Sequence, residues 1–312
     1  MPTINQVQPI EPVLTGMLTA FLQGSDRFVA GRAFPAVSVD TDSGTYYQLT
    51  KRYWMADGLQ RRAPGDPFAR LDLNLERATF KTEQWAADEA IADEVRANSQ
   101  LPLELERAAI EHLGIQSLIR KEKQFADDFM KTGVWSTDNT TATDWDDFAN
   151  SDPINDIVDA AGVIQAATGF MPNTLIVGAV VDRALRKHPD ILDRIKWTQT
   201  ATAASIRNTM AAVLDIENYL VGSAIIDTAN EGQTASYSPI IDDDALLLYV
   251  NPAGGLLTVT AGRTFVWAGG GGLGSIYRYR DASRHADVVQ QKEQWDQKVI
   301  SAELGYFFSD IV

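Results

Sequence analysis

The sequence contains no cysteine and only three histidines among its 312 residues. The absence of cysteine excludes disulfides, thiolate nucleophiles and cysteine-ligated metal sites, and it suits a reducing cytoplasm. His112, His188 and His285 lack the neighbours of any known catalytic motif, and no two of them have the spacing of a metal-binding pair. Neither a Gly-x-Ser-x-Gly elbow nor a Walker loop occurs. We therefore expect no catalytic residues, no metal and no cofactor, although 42 acidic residues leave a carboxylate dyad open.

Basic residues are also scarce, with 27 lysines and arginines and a net charge of −15. This balance argues against tight, sequence-specific binding to nucleic acid, which requires a basic surface. No run of about eighteen apolar residues exists, and the first 34 residues lack a basic segment followed by an apolar one, so we expect neither membrane insertion nor secretion. Hydrophobic residues make up 45% of the chain, which is typical of folded proteins. The length favours two subdomains or an elongated architecture.

The segment from Ser99 to Gly133 carries start, periodicity and stop signals for one long helix. Ser99 can cap the start, Pro102 suits the first turn, and Gly133 suits the left-handed residue that ends a helix. Apolar residues recur between them every three or four positions: Leu105, Ala108, Ile115, Leu118, Ile119, Phe125, Ala126, Phe129 and Met130. The pattern predicts a helix from Pro102 to Lys131, roughly 45 Å long, which we call the spine helix. The alternative is an ordinary long helix of an α/β enzyme.

Two segments before the spine helix lack a core of their own. Residues 1–34 are predicted to be an arm with one small helix at Val13–Phe21, whose apolar residues lie on another part of the chain or on a neighbouring subunit. Residues 34–82 have the strand formers of a long hairpin, and the breakers between Ala56 and Asp66 mark its turn. Because a two-stranded ribbon buries little surface, we expect arm and hairpin to be ordered only through adjacent subunits.

The rest of the chain predicts a mixed unit of helices and buried strands. Short apolar runs predict strands at Thr174–Gly178, Tyr219–Val221 and Ala245–Val250. The alternating stretch from Ile276 to Phe308 is expected to return to the sheet beside the spine helix.

Three patterns imitate ligand sites. Gly269, Gly271 and Gly274 have the spacing of a dinucleotide loop, but a strand pattern follows them instead of a helix, so we expect a turn. Residues 40–44 begin like a calcium loop, yet the twelfth position is Lys51. The consecutive carboxylates at 242–244 would point in different directions in an extended chain, which disfavours a metal site.

Several short motifs, in this order and spacing, resemble one family across nearly the whole chain. They are Tyr46-Tyr47 with Lys51 and Trp54, Arg62 to Gly65, Asp93 to Asn98 leading into Pro102-Leu103, Pro172 to Leu175, His188 to Lys196, Asp296 to Val299, and Gly305 to Phe308. On these residues the chain resembles the major capsid proteins of tailed bacteriophages with the Hong Kong 97-like fold.

The resemblance implies an α+β fold with four parts. Residues 1–34 would form an N-terminal arm and 35–83 an extended hairpin loop lying on the neighbouring subunit. Residues 84–196 and 275–312 would form a peripheral domain containing the spine helix at about 100–132. Residues 197–274 would form an axial domain that points to the centre of the capsomer.

The resemblance also implies a structural function without catalysis. Such proteins self-assemble as hexamers and pentamers into the icosahedral head shell around packaged double-stranded DNA, inside the host cytoplasm and without a membrane. Scaffold, portal and decoration proteins would be the other partners. Nothing before Pro12 is long enough for a scaffolding segment, so we expect a separate scaffold or its prior removal. Some members link a hairpin lysine to a neighbour's asparagine; Lys51 is the nearest candidate here, without an identified partner.

Two alternatives remain. An encapsulin-like shell shares the fold but encloses a cargo enzyme, whereas a soluble α/β enzyme would be monomeric.

Charge along the chain suggests how neighbouring subunits would meet. The hairpin carries a net charge of +3 between Lys51 and Arg70, and the approach to the spine helix carries −6 between Glu83 and Glu106. We hypothesise that the hairpin of one subunit lies across the acidic stretch of the next, held by forked hydrogen bonds from arginines. The candidate contact residues are Lys51, Arg52, Arg61, Arg62 and Arg70 against Glu83, Asp88, Glu89, Asp93 and Glu94. The alternative is that both stretches are merely solvated.

Overall fold

The structure is a computed structural model. It describes residues 12–23, 26–49, 57, 59, 61–65, 68, 75–98, 102–140, 143–195, 209–230, 232–253, 255 and 258–312. The α-helices in the described residues are α1 (Pro12–Gln23), α2 (Ala30–Ala33), α3 (Asp93–Asn98), α4 (Pro102–Phe129), α5 (Pro153–Thr168), α6 (Ala179–Leu185) and α7 (Pro189–Ile195). The strands are β1 (Ala36–Val39), β2 (Ser43–Leu49), β3 (Leu75–Lys81), β4 (Glu83–Ala92), β5 (Thr137–Thr140), β6 (Thr174–Gly178), β7 (Asn218–Gly222), β8 (Ile225–Asp227), β9 (Tyr237–Pro239), β10 (Ala245–Leu248), β11 (Gly262–Trp267), β12 (Ser275–Asp281), β13 (Ala286–Val299) and β14 (Gly305–Ser309).

The first sheet is organised around β13, which is 14 residues long. One edge of β13 pairs with β11 and then with β12, and its other edge pairs with β4 from Ala286 opposite Ala92 to Trp295 opposite Glu83. Strand β1 joins this sheet in parallel with β11. The segment predicted to form the hairpin includes residues 36–39, but they form β1, where Val37 and Val39 are buried in this sheet.

The spine helix is α4, and it packs on the first sheet. Its observed bounds, Pro102–Phe129, agree with the predicted helix to within two residues at the C-terminal end and give a length of about 42 Å. Its buried residues Ile110 and Leu113 contact Ile276 of β12 and Val289 of β13. The predicted return of the C-terminal segment to the sheet beside this helix is therefore confirmed for β12 and β13, whereas β14 joins another sheet.

The N-terminal arm packs on its own chain. Leu18 of α1 is fully buried in the cluster that contains Ile110 and Ile276, and the Thr15 hydroxyl accepts a hydrogen bond from the Ile276 amide. Further on, Phe34 is fully buried against Phe125 of the spine helix. The expectation that the arm is ordered only by adjacent subunits is wrong for these segments, because the spine helix supplies the apolar surface that they need. Residues before Pro12 lie outside the described part.

The second sheet has the strand order β5-β14-β10-β6-β7. Alternate residues of its central strands point into two separate cores, as a strand with a period of two requires. Leu175, Val177 and Leu247 face a core with α5, whereas Ile176 and Leu246 face a core that includes Phe125 and Phe129. The three predicted strands at β6, β7 and β10 are confirmed.

This sheet crosses the predicted border between peripheral and axial domains. Strands β6 and β7 pair directly in parallel, from Thr174 opposite Asn218 to Gly178 opposite Gly222, although the border was placed between residues 196 and 197. The division into the two domains remains a prediction.

The hairpin has its base where the sequence places it. Strands β2 and β3 pair only with each other among the described strands, from Ser43 opposite Lys81 to Leu49 opposite Leu75. Tyr46 and Phe80 anchor this base by packing on Phe265 of the first sheet. Most of the tip between residues 50 and 74 lies outside the described residues.

Candidate assembly surface

The acidic stretch before the spine helix forms an exposed sheet edge. Strand β4 pairs with β13 on one side, and no described strand pairs with its other side. Glu83 and Asp88 on β4 and Glu94 on α3 are exposed, and none of them forms an ion pair with a residue in the described ranges. An open edge has unpaired amide and carbonyl groups, and charges beside it discourage unspecific pairing. The three carboxylates are therefore available to a partner of opposite charge.

The other two acidic candidates already have partners in the same chain. Glu89 contacts the imidazole of His112 on the spine helix, with 3.1 Å between Oε2 and Nδ1. Both carboxylate oxygens of Asp93 accept hydrogen bonds from Arg280, one of them at 2.6 Å, and these bonds lower the pKa of Asp93. The acidic surface for a neighbour is therefore narrower than the sequence predicts.

Asp287 of β13 is the centre of the ionic network that occupies Asp93. It accepts hydrogen bonds from Arg96 of α3 and, at 3.2 Å each, from Arg278 and Arg280 of β12. These three guanidinium groups, that of Arg96 above all, lower the pKa of Asp287 to about 2. Arg96 also binds Glu106 at 2.9 Å, so the network joins the start of the spine helix to the sheet. Its role is to position α3 and the end of β4.

Of the five basic candidates, only Arg61 and Arg62 lie within the described residues. Lys51, Arg52 and Arg70 lie outside the described residues. Arg61 is exposed, and the guanidinium carbon of Arg62 lies 4.3 Å from the ring centre of Phe68.

His188 is the one histidine whose neighbours imitate a catalytic triad. Its Nε2 lies 3.2 Å from the Ser151 hydroxyl, and its Nδ1 lies 3.6 Å from a carboxylate oxygen of Asp190. A nucleophilic serine gives its proton to the imidazole. Here the Ser151 hydroxyl donates to the carbonyl of Asp147 at 2.8 Å, and the Asp190 amide donates to Nδ1, so Nε2 carries the proton. His188 is also completely buried, and the arrangement fastens the loop before α5.

The ligand-like patterns form no site in the described residues. Ala268–Gly270 is a short 3-10 turn, and Gly271 and Gly274 have φ angles of 116° and 141° before β12 begins, which confirms the predicted turn. No group of three or more potential ligands could hold a metal ion among the residues described. In the same residues, no helix has the length and apolarity to cross a bilayer.

Sequence reasoning missed two features. One is the ionic network around Asp287. The sequence did contain a signal for it, because Arg278 and Arg280 are two residues apart in a strand pattern and so share one face. The other is Glu122, a fully buried carboxylate in the C-terminal half of the spine helix, which the predicted apolar stripe gave no reason to expect.

Two curated relatives are similar to this chain over most of its length. The major capsid protein of Pseudomonas phage JBD67 is 24% identical over 319 residues, covering 99% of both chains. The major capsid protein of Burkholderia phage BcepMu is 22% identical over 236 residues, covering 72% of each. The chain is a homologue of phage major capsid proteins. No protein-family model matches it.

Solved structures share the fold of this phage capsid homologue. A phage-related protein from Bordetella bronchiseptica RB50 has a TM-score of 0.73 at 19% identity over 98% of both chains. The capsid of the cyanophage P-SCSP1u has a TM-score of 0.55 at 9% identity, covering 88% of this chain and 86% of that one. A virus-like particle from Pyrococcus furiosus has a TM-score of 0.53 at 10% identity, covering 95% and 98%. The fold is thus common to different shells, and only the curated relatives point to a phage head.

Proposed function

We propose that this chain is the shell-forming subunit of a tailed-phage head. The observation that carries the proposal is the similarity to a phage major capsid protein over 99% of both chains. In this proposal the subunits form hexamers and pentamers of an icosahedral shell with the Hong Kong 97-like division into arm, hairpin loop, peripheral domain and axial domain. The role is structural, without catalysis.

Further partners belong to the same proposal. A shell of this kind needs a portal for DNA entry and a scaffold during assembly in the host cytoplasm, and decoration proteins can be added. The double-stranded DNA inside is held by confinement, because a chain with a net charge of −15 repels phosphates.

Electron microscopy of the full-length chain, expressed alone and with candidate scaffolds, tests this function. Closed shells with capsomers support it, and nucleic acid in particles from infected cells distinguishes a head from an enzyme-filled compartment. A protein that elutes as a monomer at high concentration with every scaffold contradicts it and favours the soluble enzyme.

We further propose that the hairpin tip of one subunit contacts the open edge of β4 in the next. The support is the opposite charge of the two segments together with three exposed carboxylates, Glu83, Asp88 and Glu94, that no described residue pairs with. Arg61 and Arg62 would donate forked hydrogen bonds to them. Glu89 and Asp93 are not part of this contact, because His112 and Arg280 already bind them.

Charge reversal tests the contact. Arg61→Glu with Arg62→Glu should prevent shells while the subunit stays folded, and Asp88→Arg with Glu94→Arg should restore them in that background. The matched control reverses Arg183 and Arg194, two exposed arginines on α6 and α7, and should assemble normally. Normal shells from the Arg61 and Arg62 double variant would refute the contact.

A further inference from the structure

A small cavity lies between the spine helix and the first sheet. Its volume is about 140 Å³, several times the roughly 10–15 Å³ that one water needs. It exists because the small side chains of Ala86 and Ala87 on β4 fill little of the space below the helix. Trp85 and Gln291 also line it. Ala86 and Gln116 are exposed, so solvent can enter.

Side chains with unpaired hydrogen-bond donors line this cavity together with the carboxylate of Glu293, whose charge is paired with Lys121. The indole nitrogen of Trp85, Nε of Arg120 and both amide atoms of Gln291 are buried and have no hydrogen-bond partner among the described residues. Gln291 is only 3% exposed. Leaving buried polar groups unpaired costs free energy, which a bound acceptor would recover.

Arg120 supplies a positive charge that no carboxylate among the described residues neutralises in an ion pair. Its guanidinium carbon lies 3.9 Å from the ring centre of Trp85, and no ion pair joins it to any carboxylate in the described residues. The neighbouring Lys121 cannot serve in its place, because it forms a buried ion pair with Glu293.

We propose that this cavity binds a carboxylate group. Its two oxygens would accept hydrogen bonds from Arg120, from the Trp85 indole and from the Gln291 amide, which pairs the orphaned donors and neutralises the arginine. The carboxylate comes from a small molecule in solution or from an acidic side chain of a second copy of this chain. The binding itself does not depend on shell formation.

The first experiment titrates the unassembled full-length subunit with sodium acetate against sodium chloride at constant ionic strength. Trp85 reports the binding, as the difference in fluorescence between the native chain and Trp85→Phe. We expect a saturable change whose affinity falls about tenfold or more in Arg120→Gln, because a charge-assisted hydrogen bond is lost. The control Arg107→Gln, on the same helix and ion-paired with Glu111 outside the cavity, should bind like the native chain. A linear response identical in all variants would overturn the proposal and leave a cavity that holds only water.

A second variant separates binding from folding. Gln291→Leu removes two unpaired polar atoms, so it should raise the resistance to urea while it weakens acetate binding. Unchanged acetate binding in Gln291→Leu would overturn the role of this residue.

Assembled shells distinguish the two sources of the carboxylate. If a second copy supplies it, assembly reproduces the fluorescence change and acetate then has no effect. If a small molecule supplies it, shells and subunits respond to acetate alike.

Discussion

Glu122 of the spine helix accepts a hydrogen bond of 2.8 Å from the backbone amide of Ala30, 92 residues earlier in the chain. The amide of Val29 donates to the same carboxylate at 2.9 Å, so one side chain holds the start of α2. This contact fastens the N-terminal segment to the helix that spans the first sheet.

The burial of Glu122 predicts a dependence of stability on pH. Desolvation raises the pKa of this carboxyl from 4.5 to about 7, although the amides of Ala30 and Val29 and the charge of Arg32 act in the opposite direction. The folded chain thus holds the proton up to a higher pH than the unfolded chain does. The protonated Glu122 therefore makes its full contribution to the free energy of unfolding below about pH 4.5. This contribution falls by on the order of 3 kcal/mol as the pH rises to about 7.

Urea unfolding of the native chain and of Glu122→Gln across this pH range measures the effect. We expect the native chain to lose free energy of unfolding relative to the variant as the pH rises. Glu111→Gln is the control, since Glu111 lies on the same helix and is exposed to solvent in its pair with Arg107. Parallel pH profiles for the native chain and Glu122→Gln would contradict the prediction.

Leu18→Ala should destabilise the unassembled subunit by about 2–5 kcal/mol, because a fully buried leucine leaves a cavity against the spine helix. Met17→Ala, on the same helix at 42% exposure, should cost much less. The free energy of unfolding from urea titration gives both values. Equal, small losses would mean that α1 does not pack on its own chain before assembly.

Replacing either of two glycines with alanine should change the stability of the subunit, but in opposite directions. A Cβ at Gly262 would lie 2.3 Å from ring atoms of the buried Phe34, so Gly262→Ala should cost about 1–3 kcal/mol. Gly162 on α5 has open space around its Cβ position, and Gly162→Ala should stabilise the helix by up to about 1 kcal/mol. Thermal unfolding of both variants measures the signs. A neutral Gly262→Ala would show that Phe34 is free to move.

Purified shells should bind free DNA weakly at every salt concentration. A basic protein gains affinity steeply as salt is lowered because it releases counterions, and a strongly acidic chain lacks this contribution. Filter binding over a series of salt concentrations measures the slope. A steep increase in affinity at low salt would point to a basic inner surface that the net charge conceals.

Local pattern was enough to place the long helix and the buried strands. The spine helix was predictable because its apolar period and its terminal residues agree, and β6 was predictable because Leu175, Ile176 and Val177 form a short apolar run between turn residues. Each of these signals lies within the element that it predicts.

Strand β4 shows where local pattern fails. Its sequence is rich in alanine and acidic residues, which have low strand propensity, and it is extended because β13 offers ten consecutive residues to pair with. Tertiary pairing overrides propensity here. The part of the site that depends on β4 was therefore predictable as a charge but not as a sheet edge.

The pairing of individual charges was not predictable either. Asp93 and Arg280 are 187 residues apart, and no spacing rule connects them. The sequence identifies Asp93 as an acid near the spine helix, but only the fold shows that its charge is already used. The same holds for Glu89 and His112, whose contact depends on the helix lying over β4.

The position of β13 and β14 has a consequence for synthesis on the ribosome. Strand β13 is the centre of the first sheet, and β14 lies between β5 and β10 in the second. The first sheet therefore cannot close before residue 299 has been translated, and the second cannot close before residue 309. Pairings between residues so far apart form late in folding, since the intervening chain must first be brought together. A chain broken off before residue 286 lacks an inner strand of both sheets. Such a fragment can complete neither sheet, so it lacks the fold of the complete subunit.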